Sequence, residues 1–96
     1  MESELTLREL IQERRIRTPA VLYAIYKGRP LSARISRDGT VEFGGHKYNS
    51  LSVAAGVAIV QAGAKPSKGR RYRHVNGWTF WRIEVDGLRV PMARLR

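Results

Sequence analysis

The spacing of apolar positions changes repeatedly along this chain, and each change marks a predicted element. Thr6-Leu7-Arg8-Glu9 fits a capping box, in which the Thr hydroxyl meets the Glu9 amide and the Glu9 carboxylate reaches back, while Leu5 and Leu10 occupy the two positions of a hydrophobic staple. A helix is predicted over residues 7–15 of an N-terminal region 1–17, with Leu7, Leu10, Ile11 and Ile16 facing inward. Thr18-Pro19 is expected to end it, because a residue before proline avoids the helical region. Apolar runs at 21–26 and 31–36 follow, joined through Lys27-Gly28-Arg29-Pro30. The second run alternates, with Leu31, Ala33 and Ile35 on one face and Ser32, Arg34 and Ser36 on the other, as a strand with one wet side should. Asp38-Gly39 turns the chain into 40–43 and Gly44-Gly45 turns it into 46–48, so residues 20–48 read as a meander of short antiparallel strands.

After Asn49-Ser50 the period becomes helical. Leu51, Ala54, Ala55, Ala58, Ile59 and Ala62 share one stripe, and Val53, Val57 and Val60 carry the apolar surface almost all round, interrupted by Ser52, Gly56 and Gln61. A helix at 50–62 of this composition needs cover on most of its surface, which motivates the expectation of a homodimer through residues 51–62. Its first turn carries Ser50 and Ser52 beside free amides and the positive end of the helix dipole, an arrangement that suits phosphate as well as an ordinary cap. A connection at 64–75 then leads to Asn76-Gly77-Trp78-Thr79-Phe80-Trp81, a turn dipeptide followed by three aromatics and a threonine that favour pleated backbone. This stretch predicts a strand and, through Asp86-Gly87, a hairpin over 76–90. In that strand Trp81 alternates with Thr79, Ile83 and Val85 toward the core, and Trp78 shares the wetter face with Phe80, Arg82 and Glu84. The fold class is α+β: a small antiparallel sheet, made of the meander plus the Trp-rich strand, packed against one apolar helix with a short N-terminal helix.

Composition narrows the function classes. The chain has 96 residues, 43% of them hydrophobic, which suffices for one domain and one core but not for a nucleotide fold with a separate substrate domain. With no cysteine there is no disulfide framework, thiolate chemistry or Cys-based zinc site. Met-Glu-Ser-Glu lacks a secretory pattern and no apolar run approaches the roughly 20 residues needed to cross a bilayer, so a soluble, cytoplasmic protein without a membrane partner is expected.

Charge changes the picture further: 18 Lys and Arg stand against 8 Asp and Glu, a formal net of +10. Glu2, Glu4, Glu9 and Glu13 balance Arg8, Arg14, Arg15 and Arg17 within residues 1–17, so the excess lies beyond them. A polyanion is the natural partner, since each neutralised phosphate releases condensed counterions. Lys65, Lys68, Arg70, Arg71, Arg73 and His74 fall in one run broken by Pro66 and Gly69, which reads as a flexible basic loop whose arginines offer bidentate donors to phosphate or to guanine edges. Ser50, Ser52, Arg34 and Lys47 are further DNA-binding candidates, although a solvated face explains the last two equally well. Tyr72, Asn76 and Trp78 are candidates for reading a base.

An enzyme fits poorly. No Gly-rich methyl-donor loop and no Asn-Pro-Pro-Tyr-like or Asp-Pro-Pro-Tyr-like motif is present, so methyl transfer is not encoded. Glu84 and Asp86 with Lys47 would suit a metal-dependent nuclease, but Asp86-Gly87 is explained as a hairpin turn, and His46 and His74 are too few for a metal site within one chain. No catalytic residue, metal ligand or cofactor is assigned. A protein-interaction module or dimeric nucleic-acid-binding regulator is the alternative to a DNA reader, and a symmetric dimer would suit a palindromic site.

Gly45, Tyr48, Ser50-Leu51-Ser52, Ala54-Ala55 and Asn76-Gly77-Trp78-Thr79-Phe80-Trp81 together resemble the core pattern of the RAMA (restriction enzyme adenine methylase associated) domain. Thr6-Leu7-Arg8-Glu9-Leu10-Ile11 and Asp38-Gly39-Thr40-Val41 are similar to that family's opening half, so the resemblance spans nearly the whole chain. It implies a single small α+β domain over 1–96 of the kind found with DNA methyltransferases, restriction systems and some chromatin-linked proteins, and inferred to read modified bases in double-stranded DNA. The chain departs from the family where the basic 65–74 segment lengthens the connection to Asn76, so DNA contact there is an expectation from charge alone.

Overall fold

A computed structural model describes residues 5–96; Met1 to Glu4, including the acids Glu2 and Glu4, lie outside the described residues. The chain runs α1 (Leu7–Gln12), β1 (Ala20–Tyr26), β2 (Arg29–Ile35), β3 (Val41–Phe43), β4 (His46–Tyr48), α2 (Leu51–Gln61), α3 (Gly77–Phe80), β5 (Arg82–Val85), β6 (Leu88–Pro91) and a closing 3₁₀ turn (Met92–Leu95). The strands form one antiparallel sheet in the order β4-β3-β2-β1-β5-β6. The α+β class and the meander are as the turn chemistry predicts.

The capping box forms: the Glu9 amide donates to the Thr6 hydroxyl at 3.2 Å and the Thr6 amide donates to the Glu9 carboxylate at 3.0 Å. Bonds to the carboxylate from Thr6, chiefly from its amide and then from its side chain, hold the Glu9 carboxyl below its usual range. The helix stops earlier than expected, at Gln12 instead of 15. Arg14 takes a left-handed φ of 59°, its amide donates to the Ile11 carbonyl, and the Arg15 amide donates to the Leu10 carbonyl. This is a Schellman closure, with arginine where glycine is usual. Thr18-Pro19 therefore lies in the following loop and does not terminate the helix.

The other correction concerns the Trp motif. Residues 77–80 are not strand but one helical turn, and pleated structure starts at Arg82. Asn76 outweighs the β preference of the aromatics: its side chain accepts from the Trp78 amide at 3.0 Å, and its carbonyl accepts from the Thr79 hydroxyl and the Phe80 amide. Trp78, Thr79 and Phe80 consequently fan around a turn instead of alternating, so Trp78 shares no strand face with Arg82 and Glu84.

Both core and motif lie on one side of the sheet. Leu22, Ala24, Ala33, Ile35, Val41 and Ile83 point down into a core with Leu7, Leu10, Leu51, Ala54, Ala55, Ala58 and Met92, and Trp81 is fully buried at its centre. The Trp81 indole N–H donates to the Leu51 carbonyl at 3.1 Å, and its ring meets Phe80 edge-on at 4.9 Å between centroids. The opposite face stays open, with Val21 47% and Ile25 73% exposed.

Candidate nucleic-acid interface

Residues 65–74 form an irregular loop, as the sequence suggests, and its backbone is tied by hydrogen bonds of its own. The Ser67 amide donates to the Tyr72 carbonyl at 3.1 Å, the Arg70 amide donates to the Ser67 carbonyl at 2.9 Å, and the His74 amide donates to the Ser67 hydroxyl at 2.9 Å. The segment lies against α2, where the Arg73 amide donates to the Gly56 carbonyl at 3.5 Å. A Cβ on Gly56 would sit 2.1 Å from the Arg73 carbonyl oxygen and 2.9 Å from the Tyr72 ring, so glycine interrupts the apolar helix because a backbone must approach there.

Seated in this way, the segment presents Lys65, Lys68, Arg70, Arg71, Arg73 and His74 to solvent, all of them exposed. Among the described residues none of the six has a carboxylate within ion-pairing distance. No Asp or Glu occurs between Glu42 and Glu84, so no carboxylate is close in sequence either. Two of the arginines are oriented from within: Arg70 donates to the Tyr72 hydroxyl at 3.4 Å and Arg73 to the Lys65 carbonyl at 3.5 Å. Tyr72 is half-buried and its ring centroid lies 6.0 Å from that of His74.

The other candidates lie elsewhere and are partly engaged. Arg34 and Lys47 project from the open sheet face. Arg34 donates twice to Glu42 Oε2, at 3.1 and 2.7 Å, and this bond holds the Glu42 carboxyl below its usual range. Lys47 stands 3.7 Å from Asp38, whose carboxyl is held low mainly by the Thr40 hydroxyl at 2.6 Å. Both cations are compensated locally, unlike those of the 65–74 segment. The Ser50 hydroxyl caps α2 by accepting from the Val53 amide at 3.0 Å, and the Ser52 hydroxyl accepts from the Gly77 amide at 2.9 Å. Asn76 is used as the α3 cap. Trp78 is half-buried against the core, with the Arg96 guanidinium 3.9 Å above its ring.

One feature of the site escapes pattern reading. Tyr23, Ile25, Pro30, Leu31, Thr79, Phe80, Arg82 and Arg89 surround a crevice of about 400 Å³. It exists because β1 pairs with β5 only at Tyr23↔Arg82: beyond that point the β5 chain has become α3, and β1 continues without a neighbour on that side. A strand predicted through 76–81 would have closed this gap, so misplacing α3 hid the crevice. Asp86 and Gly87, by contrast, are the hairpin turn that the sequence suggests, with φ values of 51° and 82°.

Among the described residues no group of three His, Cys, Asp or Glu is placed to hold a metal ion, and no helix is long and apolar enough to cross a membrane. No protein-family model matches the chain, and no curated protein matches it.

Proposed function

We propose that this chain is a non-enzymatic DNA-binding module that grips duplex phosphates with its 65–74 segment. The observation that carries the reading is the set of five exposed Lys and Arg side chains, with His74 beside them, on a tied-down segment with no carboxylate partner among the described residues. Such an arrangement gives phosphate contacts their Coulombic gain without first breaking an internal ion pair, and an anchored backbone loses less freedom on binding than a free loop. Arg70, Arg71 and Arg73 supply planar donors that fit phosphate oxygens two at a time.

Reading of modified bases, in the setting of restriction–modification or DNA methylation, is the finer part of the proposal. It rests on the likeness of the Ser50-Leu51-Ser52 and Asn76 to Trp81 motifs to the RAMA pattern. Matched duplexes, unmodified and carrying N6-methyladenine or a 5-substituted cytosine, titrated by fluorescence anisotropy at one salt concentration, test both levels. Binding to every duplex with tighter binding to one modified form is expected. Equal affinity for all of them would leave a DNA-binding regulator without base selectivity, and no binding at low salt would remove the DNA reading altogether.

A further inference from the structure

We infer that the crevice between the β1–β2 hairpin and the α3–β5 junction binds a single nucleotide taken out of the base stack, with its base against Tyr23 and Phe80 and its phosphate on Arg82 and Arg89. The inference deepens the DNA-binding reading and rests on it for its macromolecular context.

The chemistry of the lining chooses the ligand. Two arginines and two aromatic rings face the space, and no carboxylate lines it. Among the described residues neither Arg82 nor Arg89 has a carboxylate within ion-pairing distance. Arg89 lies over the Tyr23 ring at 3.7 Å, so an entering base displaces that guanidinium from the ring or stacks on its plane. Arg82 donates to the Arg89 carbonyl at 3.4 Å, so the two guanidinium-bearing strands are tied at the rim. Aromatic faces and guanidinium planes are the surfaces on which unstacked bases sit, and arginine forks take phosphate. The uncovered edge of β1 at Ala24–Tyr26 adds main-chain groups that no neighbouring strand uses on that side.

Size and position narrow it further. About 400 Å³ lies near the low end of small-ligand pockets, enough for one nucleotide and far too little for a duplex. The wall residue Thr79 follows His74 by five positions, so even a fully extended chain keeps the crevice within roughly 18 Å of the end of the basic segment. That is about five steps of a nucleic-acid strand at 3.4 Å each, a span that one bound nucleic acid can cover. Extraction from the stack costs a few kcal/mol and is easiest for an unpaired, mismatched or damaged position.

The test uses the intact chain and two probes. Titrating dAMP while following the backbone and arginine side-chain N–H signals by NMR should move Arg82, Arg89 and the β1 edge, whereas inorganic phosphate alone at equal concentration should move them far less. Tyr23→Leu and Arg89→Gln should each weaken dAMP binding about tenfold, with the dispersed spectrum retained. In a duplex with one mismatched 2-aminopurine, saturating wild-type protein should quench or shift the emission of that base. Tyr23→Leu should abolish the change while leaving duplex affinity within about twofold. Equal responses to phosphate and dAMP, or an unchanged 2-aminopurine signal in Tyr23→Leu, would overturn the inference. The two readings also fail separately: dAMP binding without duplex binding rejects the DNA module and keeps the crevice, and duplex binding without dAMP binding does the reverse.

Discussion

A methyl group added at Gly77 would lie 2.2 Å from the Leu51 carbonyl carbon and 2.4 Å from the Ser52 nitrogen, both of them backbone atoms that have nowhere to go. The motif beginning at Asn76 is thus an interlock: Gly77 presses on the first turn of α2, Ser52 accepts its amide proton, and Trp81 bonds the Leu51 carbonyl. The sequence makes Gly77 look like a turn glycine chosen for positive φ, yet it is required for close approach, which no local pattern reveals. Arg14 is the converse, a left-handed residue at a helix end that the sequence does not mark with glycine. Gly77→Ala is expected to lower stability by at least about 1 to 3 kcal/mol in urea unfolding, as overpacking against rigid atoms does. Trp81→Ala should cost about 3 to 5 kcal/mol, through the cavity it leaves and the loss of its bond to the Leu51 carbonyl. Trp78→Ala, at a half-buried site, should cost clearly less than Trp81→Ala, and equal losses would mean that the two rings share one core role.

At the scale of elements, the turns are the most legible part of the chain. Asp38-Gly39, Gly44-Gly45 and Asp86-Gly87 all fall where the dipeptides place them, because only a few residue types accept the backbone that a tight turn needs. α2 is legible in extent but not in its surroundings. Its all-round apolar surface asked for a second chain, and within the single chain the basic segment supplies part of that cover over Gly56, leaving Val53, Val57 and Val60 half-buried. A sequence-distant backbone packing on a helix leaves only a lone glycine as its trace. Gly56→Ala should therefore lift the segment without melting the helix. Faster tryptic cleavage at Lys68, Arg70, Arg71 or Arg73, with little loss of helical circular dichroism, is the expected outcome. Unchanged cleavage would mean that the segment does not depend on its seat.

For the whole molecule, one helical side of the sheet is covered and the other is open, and the charge is arranged unevenly over both. On the open face Arg34 and Lys47 are matched by Glu42 and Asp38, while the 65–74 segment has no such balance. Because α2 is largely covered from within, self-association through it is expected to be weak. Light scattering should find monomer at low micromolar concentration, with larger species only at higher concentration, and a tight dimer would mean that the half-buried Val53, Val57 and Val60 form an interface. Overall charge and its local run were both plain in the sequence; which cations are compensated was not, since that depends on cross-strand neighbours such as Arg34↔Glu42. The most direct test of the central claim is the salt dependence of duplex affinity, compared between the unaltered chain and the combined variant Arg70→Ala, Arg71→Ala, Arg73→Ala. If these arginines hold phosphates, the log-log slope should flatten by roughly 0.9 for each phosphate no longer neutralised, a total of about 2 to 3. An unchanged slope in the folded triple variant would place the DNA-binding face elsewhere on the molecule.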